Sequence, residues 1–401
     1  MHRTIAAACF PLVLLASVIL PGAASAQESP HSQVPGFGAV KGPIAPGIVP
    51  EALWDGRKMV EFHSLDTPNM VKAADADFIE PSEYVLGVTV DGQSRAYPAR
   101  FIFWHHVVND KVTAPGKPDN WFAVTYCSVC NTGIRYSLFL DGRSRRLDFF
   151  GLYNGIVTLC DRQTESVFLQ AGGSYVTGPL LGKELQVEPL LDTTWGEWRR
   201  LHPDTLVMSP DSGYGSRYPP KGVVVQRGNP SFPAPFFQAS LTRVDKRLPM
   251  FEMVLGVTIG KSGDAARSRR AYPVKSLSER GGVVDDTLAD APIAVLFDPA
   301  TASASAVSRR IDGRTLTFEA RKGDDGKAAF FDKETDTRWS IEGLGEAGPL
   351  AGKSLTRLNA HLSQWYGWFA TFPETTIYGR SDPPQPGEPF AKEVPATGAP
   401  K

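Results

Sequence analysis

The chain has 401 residues, enough for two or three domains and a sizeable core. A hydrophobic fraction of 42% with 21% charged residues is that of a globular protein, not a disordered one. Lys+Arg 42 against Asp+Glu 43 gives a net charge of -1, so no basic excess is available to neutralise phosphates, which argues against a nucleic-acid partner.

Residues 1–26 read as a signal peptide: an apolar run from Ile5 to Leu20, then Ala24-Ser25-Ala26 as the small-residue cleavage pattern, with cleavage after Ala26. The run is too short for a comfortable membrane span. The expectation is an exported protein, periplasmic or secreted, with no stable membrane insertion after cleavage. Residues 27–50 are a Pro/Gly-rich leader with little periodicity, expected to be flexible. The end, residues 381–401, is expected to be a disordered tail.

Between them, short sequences recur in the same order and at nearly constant spacing. Val85-Leu86-Gly87-Val88-Thr89-Val90 returns as Val254-Leu255-Gly256-Val257-Thr258-Ile259, and Arg95-Ala96-Tyr97-Pro98 as Arg270-Ala271-Tyr272-Pro273. Asp141-Gly142-Arg143 returns as Asp312-Gly313-Arg314, and the pair Trp195 and Trp198 as Trp365 and Trp368. Such a series predicts an internal duplication. It gives a first repeat over 51–210, a connector over 211–250 with several prolines that disfavour a regular element, and a second repeat over 251–380.

Each repeat reads as mostly β. Tyr84–Val90 and Trp121–Tyr126 are strand-like, and Ile134–Leu140 and Arg145–Phe150 flank the hairpin signal Asp141-Gly142. A short helix is expected to begin at Pro98, and Thr194-x-x-Glu197 is a capping box opening another. The fold class is therefore mainly β with a few short helices, as two tandem β-rich repeats packed in one pseudo-symmetric body.

A duplication permits a subtraction. Residues that recur serve the common fold, and residues present in one repeat alone are candidates for chemistry. Once the signal peptide is removed, the cysteines are Cys127, Cys130 and Cys160, and all three lie in the first repeat. Asp298 and Thr301 stand where Cys127 and Cys130 would recur, and the pair His105-His106 has no counterpart. The second repeat thus reads as structural or degenerate.

Cys127-x-x-Cys130 lies at a strand end with another strand to follow, which fits a metal knuckle or a disulfide-closed turn better than a helix-opening redox motif. Two thiolates and one imidazole suit a soft ion, copper or zinc, with His106 and Cys160 as possible additional donors. Consecutive side chains diverge, so one of the two histidines is expected to serve. Asp161, Arg162, Gln163 and Glu165, with Asn109 and Asp110, could form the polar wall of a cleft or support the cysteines; the plainer reading of the 161–165 run is a solvated turn.

The ordered strings RAYP, WHxVVND, TYCxxCxT, DRQTES, GPLLGK and WxEWxxxHPDT resemble the bacterial family called domain of unknown function 3179, over roughly residues 50–380. The resemblance implies that Trp104, His105, Cys127 and Cys130 matter, and it favours His105 over His106, where the family more often has an acidic residue. The family is usually aromatic at the position of Cys160, which argues against an essential ligand there. The resemblance locates a site without naming a reaction.

The leading expectation is binding of copper or zinc by Cys127, Cys130 and His105. A thiol–disulfide oxidoreductase using the two cysteines is the second. A non-catalytic module for a small-molecule ligand, its turn closed by a structural disulfide, is the third.

Overall fold

The computed structural model describes residues 36–38, 40, 42–223, 235–260, 267–323 and 327–390. The expected signal peptide, part of the leader and the last part of the tail lie outside them. The described chain is mainly β with a few short helices, and no helix among the described residues is long and apolar enough to cross a membrane.

β1 (Tyr84–Val90) and β2 (Gln93–Pro98) form an antiparallel hairpin. Its turn is Asp91-Gly92, with left-handed φ of 46° and 78°, the pairing that matches strand twist in two-residue loops. Pro98 fixes φ and starts α1 (Ala99–His105), which ends where His106 turns left-handed. A meander follows: β3 (Val107–Val112), β4 (Asn120–Cys127) and β5 (Thr132–Ser137). β6 (Leu147–Tyr153), β7 (Ile156–Asp161) and β8 (Val167–Leu169) build a second antiparallel layer. β9 (Leu191–Thr194) then returns to pair with β1. Thr194 Oγ1 accepts from the Glu197 amide to cap α2 (Trp195–Leu201), and β10 (Leu206–Met208) runs parallel to β2.

The connector holds a short 3-10 turn at Gly215–Arg217 and α3 (Pro235–Ser240). Its prolines do not prevent these elements, because tertiary burial overrides local preference: Phe237 is fully buried and Ser240 Oγ accepts from the Gly155 amide.

Beyond it come β11 (Met253–Ile259), β12 (Ser268–Pro273), α4 (Val274–Glu279), β13 (Val283–Leu288), β14 (Ala291–Asp298) and β15 (Ser303–Ser308). β16 (Phe318–Lys322), β17 (Ala328–Asp332), β18 (Asn359–Gln364), α5 (Trp365–Thr371) and β19 (Thr376–Ile377) complete the series. The order hairpin, helix, meander, second layer, returning strand, helix, parallel strand thus occurs twice along the chain. Residues 388–389 pair with 243–244.

Two features fix the packing. Trp198 lies over Gly87 and Trp368 over Gly256, where any Cβ would collide with the indole, and each indole N–H donates at 2.9 Å to a threonine, Thr205 and Thr375. One hydrophobic cluster is shared between the two stretches: Val85, Ala96, Trp195 and Trp198 pack with Leu296, Val307, Phe330 and Trp339.

Candidate functional site

β4 ends at Cys127, which pairs with Thr132 across a turn closed by Asn131 in the left-handed region, φ 54°; Asn tolerates that conformation at little cost. The Cys130 amide donates to Cys127 Sγ at 3.3 Å, and the Cys130 thiol donates to Thr132 Oγ1 at 3.3 Å. Both cysteines are fully buried within the first core cluster. The wall over them is α5: the Gln364 amide donates to the Cys130 carbonyl at 2.9 Å, and a Cβ on Gly367 would stand 2.8 Å from Cys130 Cβ.

Burial alone raises a thiol's pKa, and it does so at both cysteines. At Cys127 the Cys130 thiol and the amides of Val157, Cys130 and Val129 outweigh it and hold the group below its ordinary value. At Cys130 burial and the neighbouring Cys127 sulfur act together and push the thiol well up. The two thiols are therefore unequal, Cys127 held down and Cys130 pushed up.

Two side chains beside the turn are short of partners. Gln170 donates to Thr132 O at 3.1 Å but its Oε1 has none, and neither atom of the Gln364 side-chain amide has one among the described residues.

His105 closes α1 with both ring nitrogens engaged elsewhere. Nδ1 is 2.5 Å from the His63 carbonyl and Nε2 is 2.7 Å from the Tyr218 hydroxyl, which meets Ser212 Oγ at 2.5 Å. Burial lowers its pKa more than the His63 carbonyl restores it. His106 bonds the Tyr126 carbonyl at 3.0 Å and packs against Phe62 and Phe149; burial drives its pKa down to about 4. Cys160, on β7 opposite Asp148, is buried, and burial pushes its thiol up to about 12. Cys127 and Cys130 are thus brought together, while the rings of His105 and His106 are turned to other partners. Among the described residues no group of three or more His, Cys, Asp or Glu is arranged to hold a metal ion.

The polar residues divide by role. Asp110 takes Arg95 at 2.5 Å and the Tyr97 hydroxyl at 2.6 Å, and Asp286 takes Arg270 and Tyr272 at the same distances, so this pattern serves the fold. Asn109 clamps Leu147 through both its amide and its carbonyl and also donates to Asp66. Asp161 accepts from the Thr164 amide and hydroxyl at 2.8 Å, as Asp332 does from Thr335. Arg162 bridges Asp66 and Asp148 at 2.6 and 2.9 Å, and Gln163 accepts from the Arg146 amide. Glu165 is exposed, 4.0 Å from Arg57, and with Arg57, Asp55 and Phe150 lines a groove of about 260 Å³.

Sequence reasoning passed over His63. Its ring stacks on Tyr214, centroids 5.2 Å apart, and with Glu61, Trp104, His105 and Arg217 it lines a small aromatic cleft. Contacts between the chain before β3 and the connector make this cleft, and no local pattern signals them.

No curated protein and no solved structure matches the chain. The family model described as a protein of unknown function, DUF3179, matches residues 61–375. The chain therefore belongs to the DUF3179 family.

Proposed function

We propose that the protein is a thiol–disulfide oxidoreductase in which Cys127 and Cys130 are the working couple. The observation that carries this reading is two free, buried cysteines in one turn, the Cys130 amide donating to Cys127 Sγ at 3.3 Å, with the Cys127 thiol held below its ordinary value by three backbone amides and the Cys130 side chain while the Cys130 thiol is pushed well up. Cys127, the more readily ionised of the two, attacks a disulfide as its thiolate, and Cys130 resolves the mixed disulfide; the substrate disulfide leaves as two thiols, taking up the two cysteine protons, while Cys127 and Cys130 form the bridge. In this reading α5, which covers the turn at Gly367, lifts to give access. If residues 1–26 direct export, the couple works where disulfides persist.

Thiol counting by mass after alkylation, across a glutathione redox series, tests the reading. Two thiols should disappear together, both mapping to Cys127 and Cys130, and return on reduction in the folded protein. A pair that stays reduced under oxidised glutathione, or a bridge no dithiol can reduce without denaturant, would overturn it.

The same pair of adjacent thiols, Cys127 the more readily ionised, favours a second reading, a soft ion such as copper or zinc held by Cys127 and Cys130. His105 could join only by giving up its bond to Tyr218 or to the His63 carbonyl. Metal analysis of the purified protein and of Cys127→Ser separates the two: equal, negligible metal in both removes the metal reading.

A further inference from the structure

Ser94 lies on β2 opposite Thr89, and its hydroxyl is 3.0 Å from His202 Nδ1. His202 Nε2 is 2.6 Å from Glu342 Oε2, and Glu342 Oε1 accepts from Arg357 at 2.6 Å. A carboxylate so paired accepts from the imidazole, so in the neutral ring the proton sits on Nε2 and Nδ1 can accept from the Ser94 hydroxyl, which also lies 2.9 Å from Thr89 Oγ1. Trp198 holds the ring from one face, centroids 4.0 Å apart. Ser94 and His202 both line an open groove of about 550 Å³.

Packing alone does not call for these residues. In the matching hairpin Arg269 lies opposite Thr258, and Phe372 follows α5 as His202 follows α2. There the Arg269 guanidinium lies over the Phe372 ring at 4.5 Å, and the hairpin is held without a hydroxyl, an imidazole or a carboxylate in line.

We propose that Ser94, His202 and Glu342 form a nucleophilic serine site for small acyl esters that carry no negative charge. Serine, base and orienting carboxylate stand within hydrogen-bond reach in series, the arrangement by which such sites are recognised irrespective of chain position. The serine meets Nδ1 and the carboxylate Nε2, the reverse of the commoner order, but the roles follow from the hydrogen bonds. Among the described residues Asp91 and Asp204 line the groove and no Lys or Arg does, which sets the preference on charge.

In the reaction Ser94 Oγ adds to the ester carbonyl carbon as its proton passes to His202 Nδ1. The adduct collapses with cleavage of the bond to the alcohol oxygen, which takes that proton from the imidazolium. Water then adds to the acyl-serine by the same base, releasing the carboxylic acid and restoring the hydroxyl. Glu342 is a positioning residue that stabilises the transient imidazolium.

The full chain is treated with an alkyl fluorophosphonate, the adduct is mapped by mass, and hydrolysis of 4-nitrophenyl acetate is followed alongside. The expected result is one adduct at Ser94, absent in Ser94→Ala, forming at least about tenfold more slowly in His202→Gln and Glu342→Gln measured below the onset of their melting. Failure to label Ser94 in the folded protein, or equal labelling in His202→Gln, overturns the proposal. No residue is shared with the cysteine turn, so this result and the thiol count are independent.

Discussion

His361 shows how one residue can work against the fold that contains it. It stands opposite Gly256 in β18, where Leu191 stands opposite Gly87 in β9. It is buried, neither ring nitrogen has a partner among the described residues, and burial lowers its pKa to about 4. His106 is lowered equally. Between about pH 4 and an unfolded value near 6.5, the unfolded chain binds protons that the folded chain refuses. Stability present above about pH 6.5 is therefore lost as the pH falls through that window, by up to about 3 kcal/mol for each histidine. His361→Leu removes two unsatisfied nitrogens and should stabilise the protein by about 1–3 kcal/mol at neutral pH. It should also make the acid loss shallower. Urea unfolding at pH 7.5 and pH 5 measures both, and a variant weaker than the parent at each pH contradicts the account. At this scale Cys127 and Cys130 meet in one turn, because three residues of separation at a strand end leave little freedom. The sequence could not say where His105 would point, since that depends on Tyr218, far along the chain.

Elements were more legible than sites. Tyr84–Val90 is a strand at the expected bounds, because alternation and an Asp-Gly turn specify a hairpin locally. Of the capping box at Thr194 and Glu197 only one half is made: Thr194 Oγ1 accepts from the Glu197 amide, while the Glu197 carboxylate turns to Arg200 and Lys327. The Asp141-Gly142 hairpin forms, but only as Phe139–Leu140 against Arg143–Ser144; the longer flanking segments pair with other strands, a choice that tertiary packing makes. What local pattern cannot carry is how closely α5 approaches the cysteine turn. Gly367 is there because any side chain would meet Cys130 Cβ, Ser363 Oγ and Ile156 Cγ2, at 2.8, 3.1 and 3.3 Å. Gly367→Ala should push α5 off the turn and destabilise by about 1–3 kcal/mol, offset in part by alanine's better helix propensity. It should also speed alkylation of Cys127 in the native protein if the lifting of α5 governs access. Faster melting with unchanged thiol reactivity would detach access from that helix.

For the whole molecule, the shared cluster decides what can fold alone. Trp195 and Trp198 pack with Leu296, Phe330 and Trp339 across the connector, and β9 and β15 are joined where Ser303 Oγ donates to Thr193 Oγ1 at 2.6 Å. The cysteine turn likewise depends on the far stretch, through the Gln364 amide and Gly367. Cutting the chain at the connector would expose two large indole faces and leave the Cys130 carbonyl without its donor. Each fully exposed aromatic side chain forfeits roughly 1.5–3 kcal/mol of burial, and domains are only about 5–15 kcal/mol stable in total. A fragment over 51–210 should therefore fail to give a cooperative unfolding transition, whereas the full chain should melt in one step by both far-UV and tryptophan signals. Mixing it with a fragment over 211–390 should restore the transition if the cluster is what each lacks. Independent melting of 51–210 would show that the expected first repeat is self-sufficient, and that the joint packing adds stability without being required for the fold.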